Sequence, residues 1–505
     1  MARRTHFVRA IALLSSLSLA ACGSGINNDD PPDDVADLED LDWLDGGDWE
    51  DDAAAQDMDG SESSAPSADA TADRAQDSRT DAAVRDAAVA DASVEAGAPG
   101  FDFPTPIQHV IVLIRENRTF DHMFSRFPNA LTTTTALRHD GTRVNLRPAP
   151  NGDLAGDIRH THNGALQAFN GGRMNGFDLN AQYHSDTGNP LGAFVHYTES
   201  QIPNYWRYAR NFVLCDHFFS TTLTQSSPGH FTFWTAQVPI IDNPKCEAGC
   251  SYANGSGCFA RGATVHAINQ DTCAIRTSTV APCFDVPTVV DHFPSTLSWR
   301  VYASADEEGE VSSPLAMARG ITRNRDAFLA HTFAATQLPA DLEAGRQPNL
   351  VIAHVGGSVG EHPPHGLCAG ENYAVRVINA VMRGPHWRTT AILLTYDDWG
   401  GFYDHVRPPQ ETCSNGDHMH LGFRLPMIIV SPYTRRSTDP NDPYVFHGVT
   451  EQSSVPRLIE DVFRLPRMSA TDRHARDGRA GSLRGAFDFA HPNFDTMILT
   501  PRTCP

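Results

Sequence analysis

The run His109-Val110-Ile111-Val112-Leu113-Ile114, followed at once by Arg115-Glu116-Asn117, constrains the fold more than any other feature of the chain. An apolar run so short and so rich in Ile and Val predicts a strand covered on both faces, as in a parallel sheet between helices. In open α/β sheets the ligand site lies beyond the carboxyl ends of the strands. Glu116 and Asn117 therefore stand at a rim, with oxygen atoms suited to a hard cation. The pattern recurs far downstream, where Ala391-Ile392-Leu393-Leu394-Thr395-Tyr396 runs into Asp397-Asp398. One acidic pair after one strand is ordinary loop or cap chemistry. Two pairs of oxygen ligands at the ends of two such strands point to one shared site. Asn349–Val355 and Arg424–Pro432 read as further buried strands. The predicted class is α/β: a three-layer α/β/α sandwich with a mostly parallel central sheet.

The chain opens on Arg3, Arg4 and Arg9, then an apolar stretch from Ile11 to Ala21 that is too short to span a membrane. This is the pattern of an export signal. Its end, Leu19-Ala20-Ala21-Cys22, resembles the bacterial lipoprotein signal, so residues 1–22 are expected to be a signal peptide with Cys22 lipidated. The expected location is the bacterial cell envelope, with the protein anchored to a membrane rather than threaded through it. Residues 23–100 hold 23 acidic and 3 basic residues and few large apolar ones. Such a segment cannot bury enough surface to offset chain entropy and is expected to be a disordered acidic tether. It carries −20 of the chain's −22, leaving residues 101–505 near −5. The low pI thus says little about substrate charge, and residues 101–505 are taken as the catalytic domain.

Besides Cys22 there are nine cysteines, five of them between Cys246 and Cys283 in an insert rich in Gly, Asn and Ala. In an exported chain such thiols pair as disulfides more readily than they bind zinc. Cys215 sits in the apolar run Phe212-Val213-Leu214-Cys215 and is expected to be the buried, unpaired one, leaving eight for up to four bridges.

The hydroxyl-rich turn Thr224-Gln225-Ser226-Ser227-Pro228-Gly229 precedes an apolar run, where a Ser at a helix start can act as nucleophile or as a cap. Gly360-Glu361-His362-Pro363-Pro364-His365 follows a strand, and imidazoles at such a rim suit binding of an anionic oxygen or protonation of a leaving group. No Gly-x-Ser-x-Gly elbow frames Ser226, which argues against metal-free serine hydrolysis.

Several segments together resemble the bacterial phospholipase C and acid phosphatase family, within the alkaline-phosphatase-like superfamily. They are Glu116-Asn117-Arg118-Thr119-Phe120-Asp121-His122, Gly171–Phe177, Pro203-Asn204-Tyr205-Trp206, Tyr396–Pro409 and Arg424-Leu425-Pro426. The resemblance runs from about Ile107 to about Phe463. It implies that Glu116, Asn117, Asp397 and Asp398 are metal ligands for one divalent ion, Ca²⁺, Mg²⁺, Mn²⁺ or Zn²⁺. It also puts Ser226 at the nucleophile, with Ser227 as the rival, and sets His160 and His362 against the phosphate. Three departures stand out. Gly229 occupies a position where the family has Asn, and Gln225 one where it has Pro. Thr450-Glu451-Gln452-Ser453-Ser454 stands where a Tyr-Asp-His-Thr-Ser stretch is usual. The implied activity is hydrolysis of a phospholipid or small phosphate ester through a phosphoserine, with no nucleic-acid partner. The competing expectation is a catalytically silent surface lipoprotein that keeps the fold as a cation- or ligand-binding scaffold.

Overall fold

Eight strands, buried except towards one edge, assemble into one sheet in the computed structural model, which describes residues 105–180, 192–246, 250, 256–304, 313–415 and 418–505. In chain order they are β1 (His109–Arg115), β2 (Val213–Cys215), β3 (Trp299–Ala303), β4 (Thr332–Ala334), β5 (Leu350–His354), β6 (Thr390–Tyr396), β7 (Met427–Val430) and β8 (Val445–Phe446). Their order across the sheet is β4-β3-β5-β1-β6-β7-β2-β8. Every pairing is parallel except the two made by β7. The expected signal peptide, Cys22 and the acidic segment lie outside the described residues. Among the described residues no helix is long and apolar enough to cross a membrane.

Alternation along β1 explains why both faces need cover. Val110, Val112 and Ile114 point into one core, while Ile111 and Leu113 point into the other. Five helices matter for the site: α1 (Phe120–Phe124), α2 (Pro203–Asn211), α3 (Ser226–Thr235), α4 (Cys368–Arg383) and α5 (Ser454–Phe463). The first core is closed by Phe231, Phe233 and Trp234 of α3 and by Val455, Leu458, Ile459 and Val462 of α5. Those four lie at positions i, i+3, i+4 and i+7, which is one apolar helix face. The second core is closed by Tyr205 and Tyr208 of α2 and by Tyr373, Val377, Ile378 and Val381 of α4. Each of these large apolar side chains contributes roughly 1.5–3 kcal/mol on burial. The result is the expected three-layer sandwich.

Four disulfides join Cys246 to Cys250, Cys258 to Cys283, Cys273 to Cys413 and Cys368 to Cys504, and Cys215 is free and buried. Cys273–Cys413 closes 140 residues and Cys368–Cys504 closes 136. By the chain-entropy argument, loops of that length gain about 5 kcal/mol each, because the unfolded chain is restricted.

Candidate active site

The register of the two central strands assembles the rim. Arg115 of β1 is paired with Tyr396 of β6, so the next residues on each, Glu116 and Asp397, emerge side by side. Asp397 Oδ1 accepts from the backbone N–H of Asn117 at 2.9 Å and from that of Asp398 at 2.7 Å. Asn117 takes a left-handed backbone, φ +66°. The loop after β6 presses against it so closely that a Cβ at Gly400 would lie 2.3 Å from the Asn117 carbonyl oxygen. Only glycine fits there, which explains the Trp399-Gly400-Gly401 turn.

Helix α3 brings the hydroxyl. Ser226, its first residue, donates from Oγ to Asp398 Oδ2 at 2.9 Å, and the same oxygen lies 3.4 Å from Asn117 Oδ1. The neighbouring Ser227 is tied through its backbone N–H to Asn243 Oδ1 at 2.8 Å. Gly229 has a steric reason: a Cβ there would lie 2.2 Å from the Asp397 carbonyl oxygen, so a side chain would push α3 off the rim. Gln452, in the segment that departs from the family pattern, accepts from Thr221 N–H at 3.0 Å and donates to that Asp397 carbonyl. Its place is structural support under the aspartate pair.

Two imidazoles face Asn117 from the other side. His160 Nδ1 is 2.7 Å from the Ile158 carbonyl and His362 Nδ1 is 2.6 Å from that of Pro363, so each ring donates there. A neutral ring of that tautomer can only accept at Nε2. The Asn117 amide nitrogen meets both, 3.1 Å from His160 Nε2 and 3.0 Å from His362 Nε2. This turns the amide oxygen onto the Asp397 carboxylate, 3.1 and 3.3 Å from its two oxygens. Acceptor against acceptor is unfavourable on its own, and a cation among these oxygens converts it into a ligand set. When both Nε2 atoms carry protons, the amide satisfies all partners after rotating by a half-turn.

The charges tell the same story. Burial, with Asp397 and Asp398 close by, pushes the Glu116 carboxyl well above its ordinary range. Burial and Asp397 push Asp398 up to about 8. Asp397 is different: burial raises it, but the His230 imidazole and two backbone N–H groups outweigh that and hold it below its ordinary value. Burial lowers His160, yet Asp157 and Asp398 overcome it and raise the ring to about 9. Three carboxylates, an amide oxygen and a hydroxyl thus crowd together and favour an added positive charge, as oxygen-ligated divalent cations require. With no cation bound, the folded state keeps protons that the unfolded state releases from pH 3.8 to about 8 at Asp398. Stability must therefore fall as pH rises through that window. The melting temperature in EDTA is expected to drop steadily between pH 5 and 8, and saturating cation is expected to flatten that slope. Equal slopes with and without cation would count against the ligand set.

All seven residues singled out from the sequence meet here: Glu116, Asn117, Asp397, Asp398, Ser226, His160 and His362. The structure adds Asp157, whose carboxylate groups with the two imidazoles within 4.8 Å, and His230, whose Nε2 lies 3.3 Å from Asp397 Oδ2 and 4.0 Å from Glu116 Oε1. Asp157 had a signal, three residues before His160. His230 closes the serine turn just before the apolar run Phe231–Trp234, and was read only as part of that turn. Beneath the rim, Glu361 is fully buried and accepts from the Tyr205 and Tyr396 hydroxyls, each at 2.5 Å. It sits next to His362 in the chain as Tyr396 does to Asp397, so one buried carboxylate braces two rim segments.

Comparison with known proteins gives a consistent picture. The phosphoesterase family profile matches residues 107–466. Phospholipase C A of Mycobacterium tuberculosis is 26% identical over 440 residues, covering 77% of this chain and 78% of that protein. Non-hemolytic phospholipase C of Pseudomonas aeruginosa is 25% identical, over 79% of this chain and 59% of its own. Non-specific phospholipase C1 of Arabidopsis thaliana is 22% identical, over 74% and 70%.

Proposed function

The chain belongs to the phosphoesterase family and is a hydrolase of phosphate esters, and from that premise we propose that it cleaves phospholipids in the manner of a phospholipase C, through a phosphoserine at Ser226. The observation that carries this reading is the Ser226 hydroxyl, 2.9 Å from Asp398 Oδ2 at the start of a helix and beside four convergent oxygen ligands. The names of the relatives support the lipid substrate.

Glu116, Asn117, Asp397 and Asp398 would hold one divalent cation, which when bound draws charge from the phosphoryl oxygens and favours ionisation of a nearby hydroxyl. Asp398 takes the Ser226 proton. Ser226 Oγ then forms a bond to phosphorus in line with the diacylglycerol oxygen, whose bond to phosphorus breaks. His362 acts in its imidazolium form, giving the leaving oxygen its Nε2 proton while Nδ1–H stays on the Pro363 carbonyl, and His160, raised to about 9 and so protonated at neutral pH, holds an equatorial phosphoryl oxygen. The unblocked start of α3, where Gln225 offers no capping side-chain hydrogen bond, adds the pull of helix-end N–H groups. Water attacks the phosphoserine, Ser226 Oγ departs with a proton, and the phosphorylated headgroup leaves. A monoester would pass through the same two displacements. On the same reading, acylation of Cys22 keeps the enzyme at a surface that carries its substrate.

Acid quenching during turnover of phosphatidylcholine or p-nitrophenyl phosphate, followed by peptide mass spectrometry, tests the intermediate. Phosphate on Ser226 is expected. Phosphate on Ser227, or on neither during active turnover, would overturn the assignment.

A further inference from the structure

Behind Asp397 runs a line of polar side chains through an otherwise apolar core. Trp234 and His230 are four residues apart on α3 and so share a face, and His354 ends β5. The Trp234 indole N–H donates to His354 Nε2 at 2.8 Å. His354 Nδ1 meets His230 Nδ1 at 2.8 Å, and His230 Nε2 reaches Asp397 Oδ2 at 3.3 Å. Trp234, His354 and His230 are 0%, 5% and 5% exposed, so solvent does not compete for these bonds.

An indole nitrogen can only donate. His354 Nε2 must therefore accept, which puts its proton on Nδ1. His230 Nδ1 must then accept in turn, which puts the His230 proton on Nε2, facing the carboxylate. Each link has one allowed direction, set by a tryptophan two side chains away from the rim. Any other tautomer sets two N–H groups or two lone pairs against each other inside the core, where no solvent can satisfy them.

We propose that Trp234, His354 and His230 are positioning residues, a one-way hydrogen-bond relay that delivers a single N–H to Asp397 and locks the rotation of that carboxylate. The relay leaves Oδ1 on its two backbone N–H groups and Oδ2 on His230, so the remaining lone pairs of Asp397 keep one fixed direction. Imidazole–carboxylate pairs of this kind orient ligands at metal sites, and their loss costs 10–100-fold in affinity or activity. The proposal rests on reading Asp397 as a cation ligand.

Its test separates the two readings. Long-range ¹⁵N spectra of the metal-free protein are expected to show His354 protonated at Nδ1 and His230 at Nε2. Protonation of His230 at Nδ1, or of both nitrogens of His354, would overturn the relay whatever the cation does. Calorimetric titration with Mn²⁺ gives the second arm. Trp234→Phe keeps a buried ring but removes the donor, and should weaken Mn²⁺ binding about 10–100-fold while mixing the His230 tautomers. His230→Gln removes the ring but still offers an amide N–H, and should weaken Mn²⁺ binding no more than Trp234→Phe does. Adding Trp234→Phe to that variant should then change nothing further. A Trp234→Phe protein with a lower melting temperature but native tautomers and native Mn²⁺ affinity would show a purely structural role and sink the proposal. No Mn²⁺ binding by the native protein would instead overturn the ligand reading of Asp397.

Discussion

Ser226→Ala is expected to lower kcat by on the order of 10⁴-fold or more, because a nucleophile has no substitute once its oxygen is gone. Ser227→Ala should stay within a few-fold of native activity, since the contact recorded for Ser227 is made by its backbone N–H to Asn243. Both variants should keep the native melting temperature to within about 1 kcal/mol of stability, the usual range for a small change outside the packed core. Asp398→Asn separates the base from the nucleophile. It keeps a group beside Ser226 but removes the acceptor charge, so activity should fall while the fold gains from losing one crowded carboxylate. Steady-state kinetics on phosphatidylcholine and on p-nitrophenyl phosphate check the set. A Ser226→Ala enzyme that turns over at near-native rates on either substrate would remove the phosphoserine mechanism.

The largest effect on stability is expected at Arg424. Its guanidinium is fully buried and binds Asp404 through both Nε (2.9 Å) and Nη2 (3.1 Å), with Asp121 Oδ1 3.2 Å from Nη2. Nη1 donates to the carbonyls of Leu131 and Asp216, both at 2.9 Å. One side chain thus joins α1, the loop after β6 and the end of β2. Burial pushes the Asp404 carboxyl up, Arg424 pulls it down, and the neighbouring Asp121 leaves it raised on balance. Arg424→Met leaves the buried Asp404 without its cation, while Asp121 keeps His405, and should cost about 3–5 kcal/mol, or prevent folding at neutral pH. Arg424→Lys should recover only part, because an ammonium cannot form the planar two-point contact. Mild acid, which protonates the stranded carboxyl, should restore some of the loss. A thermal melt of Arg424→Met within 1 kcal/mol of native would show that this cluster does not hold the loop.

The strands and the oxygen-bearing residues at their ends were legible because they are local. Buried parallel strands write themselves as short Val- and Ile-rich runs, and the residues just past their ends are forced to one rim. That is how Glu116, Asn117, Asp397 and Asp398 stand out with no structure in hand. Arg424 and Asp121 belong to the same quoted motifs, yet their partnership joins segments far apart in the chain and no spacing announces it. His230 was hidden for a different reason. At the end of a turn already read for its hydroxyls a histidine carries no signal of its own, and its meaning comes from His354 on another element.

The sequence by itself determined the class of the sheet, the two strand ends that carry the oxygens, and the free, buried Cys215, all consequences of patterns a few residues long. Only the tertiary structure decided which serine hydroxyl meets Asp398, that the Asn117 amide lies between Asp397 and two imidazoles, and which pairs of cysteines join. It also decided that a tryptophan in the core sets the proton on the histidine behind Asp397. Those outcomes depend on strand register and on hydrogen-bond direction between distant segments. A linear chain does not record either one until it has closed on itself.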